Sequence, residues 1–175
     1  MVLQQAPQLE TERLVLKHFT LDDFSELKAC WADPEMIKIN RGELPTSEVI
    51  WARLLRYIGH WQALGYGYWA VFEKATHRYI GAFGFQDAHR DCTPALPWPE
   101  AGWTLTADAR GKGYAKEALG AILSWADKNF TSPLCCIIAE DNQRSYYLAE
   151  QFNFHFQDYI SLRGKQVRLL IRPRV

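Results

Sequence analysis

The residues best suited to chemistry are Arg110-Gly111-Lys112-Gly113-Tyr114-Ala115, between a β-patterned run and a long amphipathic helix. The run before them, Ala101-Gly102-Trp103-Thr104-Leu105, alternates and is rich in strand formers. The run after them puts Ala115, Leu119, Ile122 and Ala126 on one helical face, widened by Ala118, Leu123 and Trp125. Two glycines and a small alanine at such a junction leave backbone N–H groups bare at a helix N-terminus. Those donors and the helix dipole point the same way, which suits an anion such as a pyrophosphate. Arg110 and Lys112 add positive charge beside it. The plain alternative is a tight turn with ordinary capping glycines.

Three phosphate-loop patterns can be tested against this stretch. A P-loop needs Gly-x-x-x-x-Gly-Lys-Ser/Thr, and Gly111-Lys112-Gly113 has neither that frame nor a hydroxyl after the lysine. The same absence argues against a kinase-like nucleotide site. A dinucleotide fingerprint needs a small residue where Lys116 stands, and an acidic residue about 20 positions on. The third pattern, Arg/Gln-x-x-Gly-x-Gly/Ala, is met by Arg110, Gly113 and Ala115. It resembles the acyl-CoA pyrophosphate loop of the GNAT N-acetyltransferase superfamily.

The elements that must position this loop can be read along the chain. Arg13–Lys17 reads as a first strand. Thr20 is a candidate cap for a helix running towards Trp31, and Glu35–Ile39 suggests a short further turn after Pro34. Ser47 is the expected cap of a long helix from Glu48 to about Leu64. Trp51, Leu54, Leu55, Ile58 and Trp61 form its expected apolar stripe, and Gly65 ends it. Tyr68–Phe72 and Tyr79–Phe85 read as a hairpin joined by the polar turn Lys74–Arg78. The three prolines within Asp91–Pro99 imply a rigid loop rather than a strand, either a substrate wall or a plain connection. After the strand from Glu100, the glycine loop and its helix come a strand at Leu134–Ala139 and a helix from about Gln143 to Phe152. Two terminal strands split at Arg163-Gly164-Lys165 complete the chain. The β–loop–α–β stretch should make a parallel pair, because a crossover helix joins its strands. The expectation is a mixed α/β sheet of about seven strands with helices on both faces, in one domain over residues 1–175.

Composition sets the outer limits. A chain of 175 residues, 48% hydrophobic and 14% aromatic, can bury a core without metal or disulfide help. No apolar run reaches the roughly 18 residues of a spanning helix, and the N-terminus lacks a signal-peptide pattern. A cytoplasmic protein acting away from membranes is expected. Net charge is +0, so nothing global points to nucleic acid. Residues 1–109 carry a balance of −4 and residues 110–175 one of +4, which suits a polyphosphate donor and a cationic acceptor, or arises by chance. The tail basics Arg163, Lys165, Arg168, Arg172 and Arg174 are expected on an exposed face or edge. Cys30, Cys92, Cys135 and Cys136 show no metal or redox spacing and read as buried, inert thiols.

A second motif follows the strand ending at Ala139. Glu140-Asp141-Asn142-Gln143-Arg144-Ser145, then Tyr146 to Phe154, resembles the Asn-x-x-Ser/Ala helix of the same superfamily. The opening Leu9-Glu10-Thr11-Glu12-Arg13-Leu14-Val15-Leu16 looks like the start of its RimJ/RimL-like branch. The resemblance runs from about Leu9 to Arg172. It implies the GNAT fold, with the central parallel strands splayed at an acetyl-CoA site and no metal.

Carried over by position, backbone N–H groups of Arg110, Gly111, Lys112, Gly113, Tyr114 and Ala115 would hold the CoA pyrophosphate. Trp103, Thr104 and Leu105 would pair through their backbones with the pantetheine arm. Asn142 would hydrogen-bond that arm, and Ser145 would sit near the thioester sulfur. The chain departs from the pattern at Ala149, where many members carry a tyrosine that protonates the leaving thiolate. Ser145, Tyr146, Tyr147 or water would take that part. Asn153 replaces the glycine that ends the helix, and it tolerates the left-handed conformation required there.

The implied reaction is direct attack by a primary amine, of a protein N-terminus or a small molecule, on the thioester. An amine protonated near pH 7 must first lose a proton, and Glu100 at the head of the central strand is the leading base. A solvated strand-end carboxylate, or a binder of a cationic acceptor, is the alternative reading of Glu100. His89 is a second base candidate. A non-catalytic acyl-CoA sensor or interaction module of the same fold is the alternative function, and a monomer or homodimer is expected.

Overall fold

Helix ends here follow local rules closely. In the computed structural model, which describes residues 3–175, the elements run in this order. They are β1 (Leu9–Glu10), β2 (Leu14–His18), α1 (Phe24–Trp31), α2 (Pro34–Ile39), α3 (Ser47–Leu64), β3 (Tyr68–Glu73) and β4 (Tyr79–Gln86). Then come β5 (Cys92–Thr93), β6 (Glu100–Leu105), α4 (Tyr114–Asn129), β7 (Leu134–Ala139), α5 (Gln143–Gln151), β8 (His155–Leu162) and β9 (Lys165–Arg172). Short 3-10 turns occupy Leu21–Asp23 and Ala107–Ala109. This is the expected mixed α/β order, with two extra two-residue strands.

The chain divides into two compact units. One holds the residues up to Gly84 with Trp103–Ile122, the other Phe85–Gly102 with Leu123–Val175. β4, β6 and α4 contribute residues to both.

In the first unit β1, β2, β3 and β4 pair antiparallel in sequence, with Leu9 opposite Leu16, Leu16 opposite Val71 and Ala70 opposite Ala82. Leu14, Leu16, Trp69, Val71 and Phe83 are fully buried. α1 and α3 add Leu27, Ile50, Leu54 and Tyr57 to a core with Phe19, Tyr68 and Tyr79. The N-cap of α3 is Thr46, not Ser47: Thr46 is extended and its hydroxyl accepts from Val49 N–H at 3.2 Å. Gly65 ends the helix as expected, in the left-handed region at φ +78°. The buried stripe of α3 is Ile50, Leu54, Tyr57 and Trp61, whereas Trp51 and Leu55 lie 41% and 45% exposed. Two interleaved apolar stripes run along this helix, and only the one facing the sheet is covered.

In the second unit β6 enters with Glu100–Gly102 and runs parallel to β7. Glu100 opposite Cys135 is the one register pair they share among the described residues. β7 pairs along its whole length with β9, β9 with β8, and β8 with β5, all antiparallel. Arg163 and Gly164, both at positive φ, make the two-residue turn between β8 and β9, so Lys165 already belongs to the strand. The proline-rich segment is not wholly loop. Cys92 and Thr93 keep their own N–H groups and pair with Leu162 and Ser161.

Of the tail basics, Arg163, Lys165 and Arg174 are exposed as expected. β9 is not an edge, however: it lies between β7 and β8, and Arg168 and Arg172 are only 8% and 7% exposed. Arg172 holds Asp127 at 2.5 and 3.0 Å and donates to the Phe152 carbonyl at 3.0 Å. A buried guanidinium persists only when its donors are used in this way.

Candidate active site

The glycine loop leaves β6 by the turn Ala107–Ala109 and enters α4 at Tyr114. Gly111 and Gly113 both occupy the left-handed region, at φ +75° and +80°. A Cβ at Gly111 would meet nothing within 4 Å, and one at Gly113 only the Arg13 side chain at 3.4 Å. The glycines are therefore there for backbone conformation, not for lack of room. Glu117 N–H to Gly113 carbonyl, at 3.2 Å, is the bond that starts the α4 ladder. The N–H groups of Tyr114, Ala115 and Lys116 have no carbonyl inside the helix to meet, and they face the dipole's positive end.

Two arginines brace the loop. Arg110 Nη2 donates to Asp33 Oδ2 at 2.8 Å and to the Leu105 carbonyl at 3.1 Å, and Nη1 lies 2.7 Å from Glu35 Oε2. Its hydrogen bond holds the Asp33 carboxyl below the ordinary carboxylate range. From the other side Arg13 Nη1 donates to the Lys112 carbonyl at 2.8 Å. The Tyr114 side chain is spent on structure: its ring lies under the Arg13 guanidinium, and its hydroxyl donates to Glu73 Oε1 at 2.5 Å. Lys112 is exposed beside the loop.

Trp103, Thr104 and Leu105 are half-buried. One side of β6 lies flush on β4. A Cβ at Gly81 would collide with the Thr104 carbonyl, and Thr106 N–H donates to the Ile80 carbonyl at 2.9 Å. That leaves the backbone groups of the opposite strand edge for another partner.

In the second unit, Glu100 is 4% exposed and bound by Arg90, Nε to Oε2 at 2.6 Å and Nη2 to Oε1 at 2.8 Å. Arg90 lies ten residues before Glu100, across the two-residue strand β5 and the proline-rich segment, and no local pattern links the two. Both oxygens of this carboxylate are occupied by one guanidinium, a bidentate geometry suited to bracing the strand. Opposite it, burial and the Glu100 charge push the Cys135 thiol up to about 12. Burial likewise raises Cys30 to about 11, so these thiols fit an inert role.

Asn142 is the N-cap of α5, its Oδ1 accepting from Ser145 N–H at 3.2 Å. Capping uses the carbonyl and leaves the Nδ2 hydrogens able to donate elsewhere. Ser145 and Tyr146 are half-buried on the first turn. Arg168 packs over the Tyr146 ring at 4.1 Å and donates to the Ala139 and Glu140 carbonyls, joining β7's end to α5's start. Burial, then Glu150, raises the Tyr146 hydroxyl above its ordinary value. Ala149 is fully buried, so this turn offers no tyrosine hydroxyl there. Asn153 ends the helix at φ +65°, the conformation expected of it. Glu100 and the α5 N-terminus belong to opposite ends of β7, about 13 Å of strand apart. His89 is exposed beside Asp87. No group of three His, Cys, Asp or Glu that could hold a metal occurs among the described residues.

Comparison with known proteins places the chain in a family. The sequence model described as acetyltransferase (GNAT) domain matches residues 13–155. The chain is 28% identical over 169 residues to an uncharacterised N-acetyltransferase, p20, of Bacillus licheniformis, covering 91% of this chain and 90% of that protein. A solved protein described as a GnaT-family acetyltransferase from Bordetella pertussis superposes with a TM-score of 0.85 at 27% identity, covering 95% of this chain and 99% of that one. RimL, a ribosomal alpha-N-protein acetyltransferase solved with coenzyme A, shares the fold at TM-score 0.76 and 15% identity, over 95% and 98% of the two chains.

Proposed function

This chain belongs to the GNAT acetyltransferase family, and from that premise we propose that it transfers the acetyl group of acetyl-CoA to a primary amine. One observation carries the proposal: two left-handed glycines at the entry to α4, braced by Arg110 and Arg13, present bare N–H groups to an anion. A CoA pyrophosphate has the charge and the acceptor oxygens for that cradle.

The backbone edge of Trp103–Leu105 fits the amide groups of a pantetheine arm, and in the other unit the Asn142 amide hydrogens fit an acceptor of the same kind. The amine nitrogen attacks the thioester carbonyl carbon, and the tetrahedral oxyanion takes a hydrogen bond from a backbone N–H. The C–S bond then breaks. The thiolate accepts a hydrogen bond from the Ser145 hydroxyl, and the proton lost by the amine leaves through water. No covalent enzyme intermediate is needed. Tyr146, packed by Arg168 and with its hydroxyl raised above its ordinary value by burial and then Glu150, is the other hydroxyl on this turn that could serve the same step. Glu100, bound by Arg90, supports β6 in this scheme instead of serving as base.

The acceptor class remains a primary amine of a peptide or small molecule. The test is release of free thiol from acetyl-CoA with a peptide bearing a free N-terminus, spermidine, glucosamine and lysine. Turnover with one of them, lost in Gly113→Val with the fold kept, is expected. Tight CoA binding without turnover on any amine would mark a sensor instead, the reading that Ala149 favours. A wild-type protein that binds no CoA would remove both.

A further inference from the structure

The segment before β2 reaches the glycine loop through one side chain. Arg13 and Lys112 are 99 positions apart, yet Arg13 Nη1 donates to the Lys112 carbonyl at 2.8 Å. Lys112 is the residue between the two left-handed glycines. In a trans peptide the C=O and the following N–H point in opposite directions. Holding the Lys112 carbonyl against Arg13 therefore aims the Gly113 N–H away from Arg13, outward from the loop.

Arg13 is itself fixed on several sides. Nε and Nη2 both lie 2.7 Å from Glu117 Oε2, and the Arg13 backbone N–H donates to Glu117 Oε1 at 2.8 Å. The Thr11 hydroxyl donates to the same Oε1 at 2.6 Å. The guanidinium lies 4.4 Å from the centre of the Tyr114 ring, and Lys74 N–H donates to the Arg13 carbonyl at 2.8 Å. The arrangement also disposes of a conflict. Glu117 stands in the first turn of α4, where its charge would oppose an incoming phosphate, but it is turned back and neutralised.

Resting on the acetyl-CoA reading above, we propose that Arg13 is a positioning residue for the donor. It fixes the Lys112–Gly113 peptide so that the Gly113 N–H meets the pyrophosphate, and it cancels the Glu117 carboxylate in the first turn of α4. Arg13 spends its charge on Glu117 and does not itself ligate phosphate.

The experiment uses the full chain. CoA is titrated into wild type, Arg13→Ala and Arg13→Lys, with thermal melts of each. Turnover is compared with acetyl-CoA and with S-acetylpantetheine, which lacks the pyrophosphate, using the amine that releases most thiol. Arg13→Ala is expected to raise the Kd for CoA and the KM for acetyl-CoA about tenfold or more, the size of one charge-assisted hydrogen bond. Its kcat and its kcat/KM with S-acetylpantetheine should stay near wild type. Arg13→Lys, which keeps the charge but not the forked donors, should fall between the two and carries the test if Arg13→Ala does not fold. Unchanged CoA affinity in a folded variant overturns the proposal, as does an equal loss with S-acetylpantetheine, which is the mark of a merely structural role. In either of those cases wild type still binds CoA and the donor reading stands. A wild type without CoA affinity removes that reading and this one together.

Discussion

Arg110 Nη2 donates to Asp33 Oδ2 at 2.8 Å and at the same time to the Leu105 carbonyl at 3.1 Å. One nitrogen thus ties the first residue of the glycine loop to the last residue of β6 and to the N-cap of α2. Asp33 in turn caps α2 through Glu35 N–H at 3.1 Å. The arginine of the loop pattern acts through its side chain as an anchor, while the glycines after it carry the exposed donors.

Arg110→Ala should therefore weaken CoA binding about tenfold by freeing the loop, with a smaller fall in Tm from the unpaired Asp33. Calorimetric titration and a thermal melt separate the two effects. The pair should be insensitive to pH across the neutral range. Asp33 is held below its ordinary value of 3.8, chiefly by the Arg110 hydrogen bond. A depressed acid stabilises the fold above its unfolded value and loses that contribution as pH falls through the lower, folded one. The Arg110-dependent part of Tm is thus expected to be constant from about pH 5 to 8 and to shrink only below about pH 4. A loss appearing between pH 6 and 7 would contradict the assignment.

How much of this was legible in the sequence follows from the range of each interaction. Gly111, Gly113, Gly65 and Asn153 obey a local rule, that a left-handed φ favours glycine or asparagine, and all four were readable. The Asn142 cap lies three residues from its partner Ser145 and shows in the motif spacing. The Arg13–Glu117 contact spans 104 positions, and neither residue has local features that announce it. The covered stripe of α3 differs from the expected one because its two apolar stripes overlap and only the sheet decides between them. Arg168 and Arg172 looked like an exposed basic face because a strand pattern cannot show that a strand will be interior and its arginines paired with Asp127 and with carbonyls.

Glu100→Gln tests a residue whose sequence position and structural surroundings point to different roles. The substitution leaves the Arg90 guanidinium facing a neutral amide in a site where Glu100 is 4% exposed. Loss of a buried pair with one charge left behind should lower stability by about 2–4 kcal/mol. The expected kinetic result is a reduced kcat with an unchanged shape of the pH–rate profile and retained CoA affinity. Disappearance of the acidic limb of that profile would restore Glu100 as the base.

Gly81→Ala tests the placement of β6 without touching the glycine loop. Gly81 lies on β4 opposite Val71, in ordinary strand backbone rather than the left-handed region, so the substitution costs nothing in conformation. What it costs is space. A Cβ there would run into the Thr104 carbonyl and press on the Leu105 Cα, both backbone atoms of β6 that no rotamer change can move aside. β6 must shift or its bond from Thr106 N–H to the Ile80 carbonyl must lengthen. Overpacking of this kind costs about 1–3 kcal/mol. Because Leu105 also takes the Arg110 hydrogen bond, the displacement should reach the loop and weaken CoA binding in a protein that still folds. Arg110→Ala already lacks that bond, so the effect of Gly81→Ala on CoA affinity should be smaller in the Arg110→Ala background than in wild type. Fully additive losses in this double-mutant cycle would show that β6 and the loop respond independently.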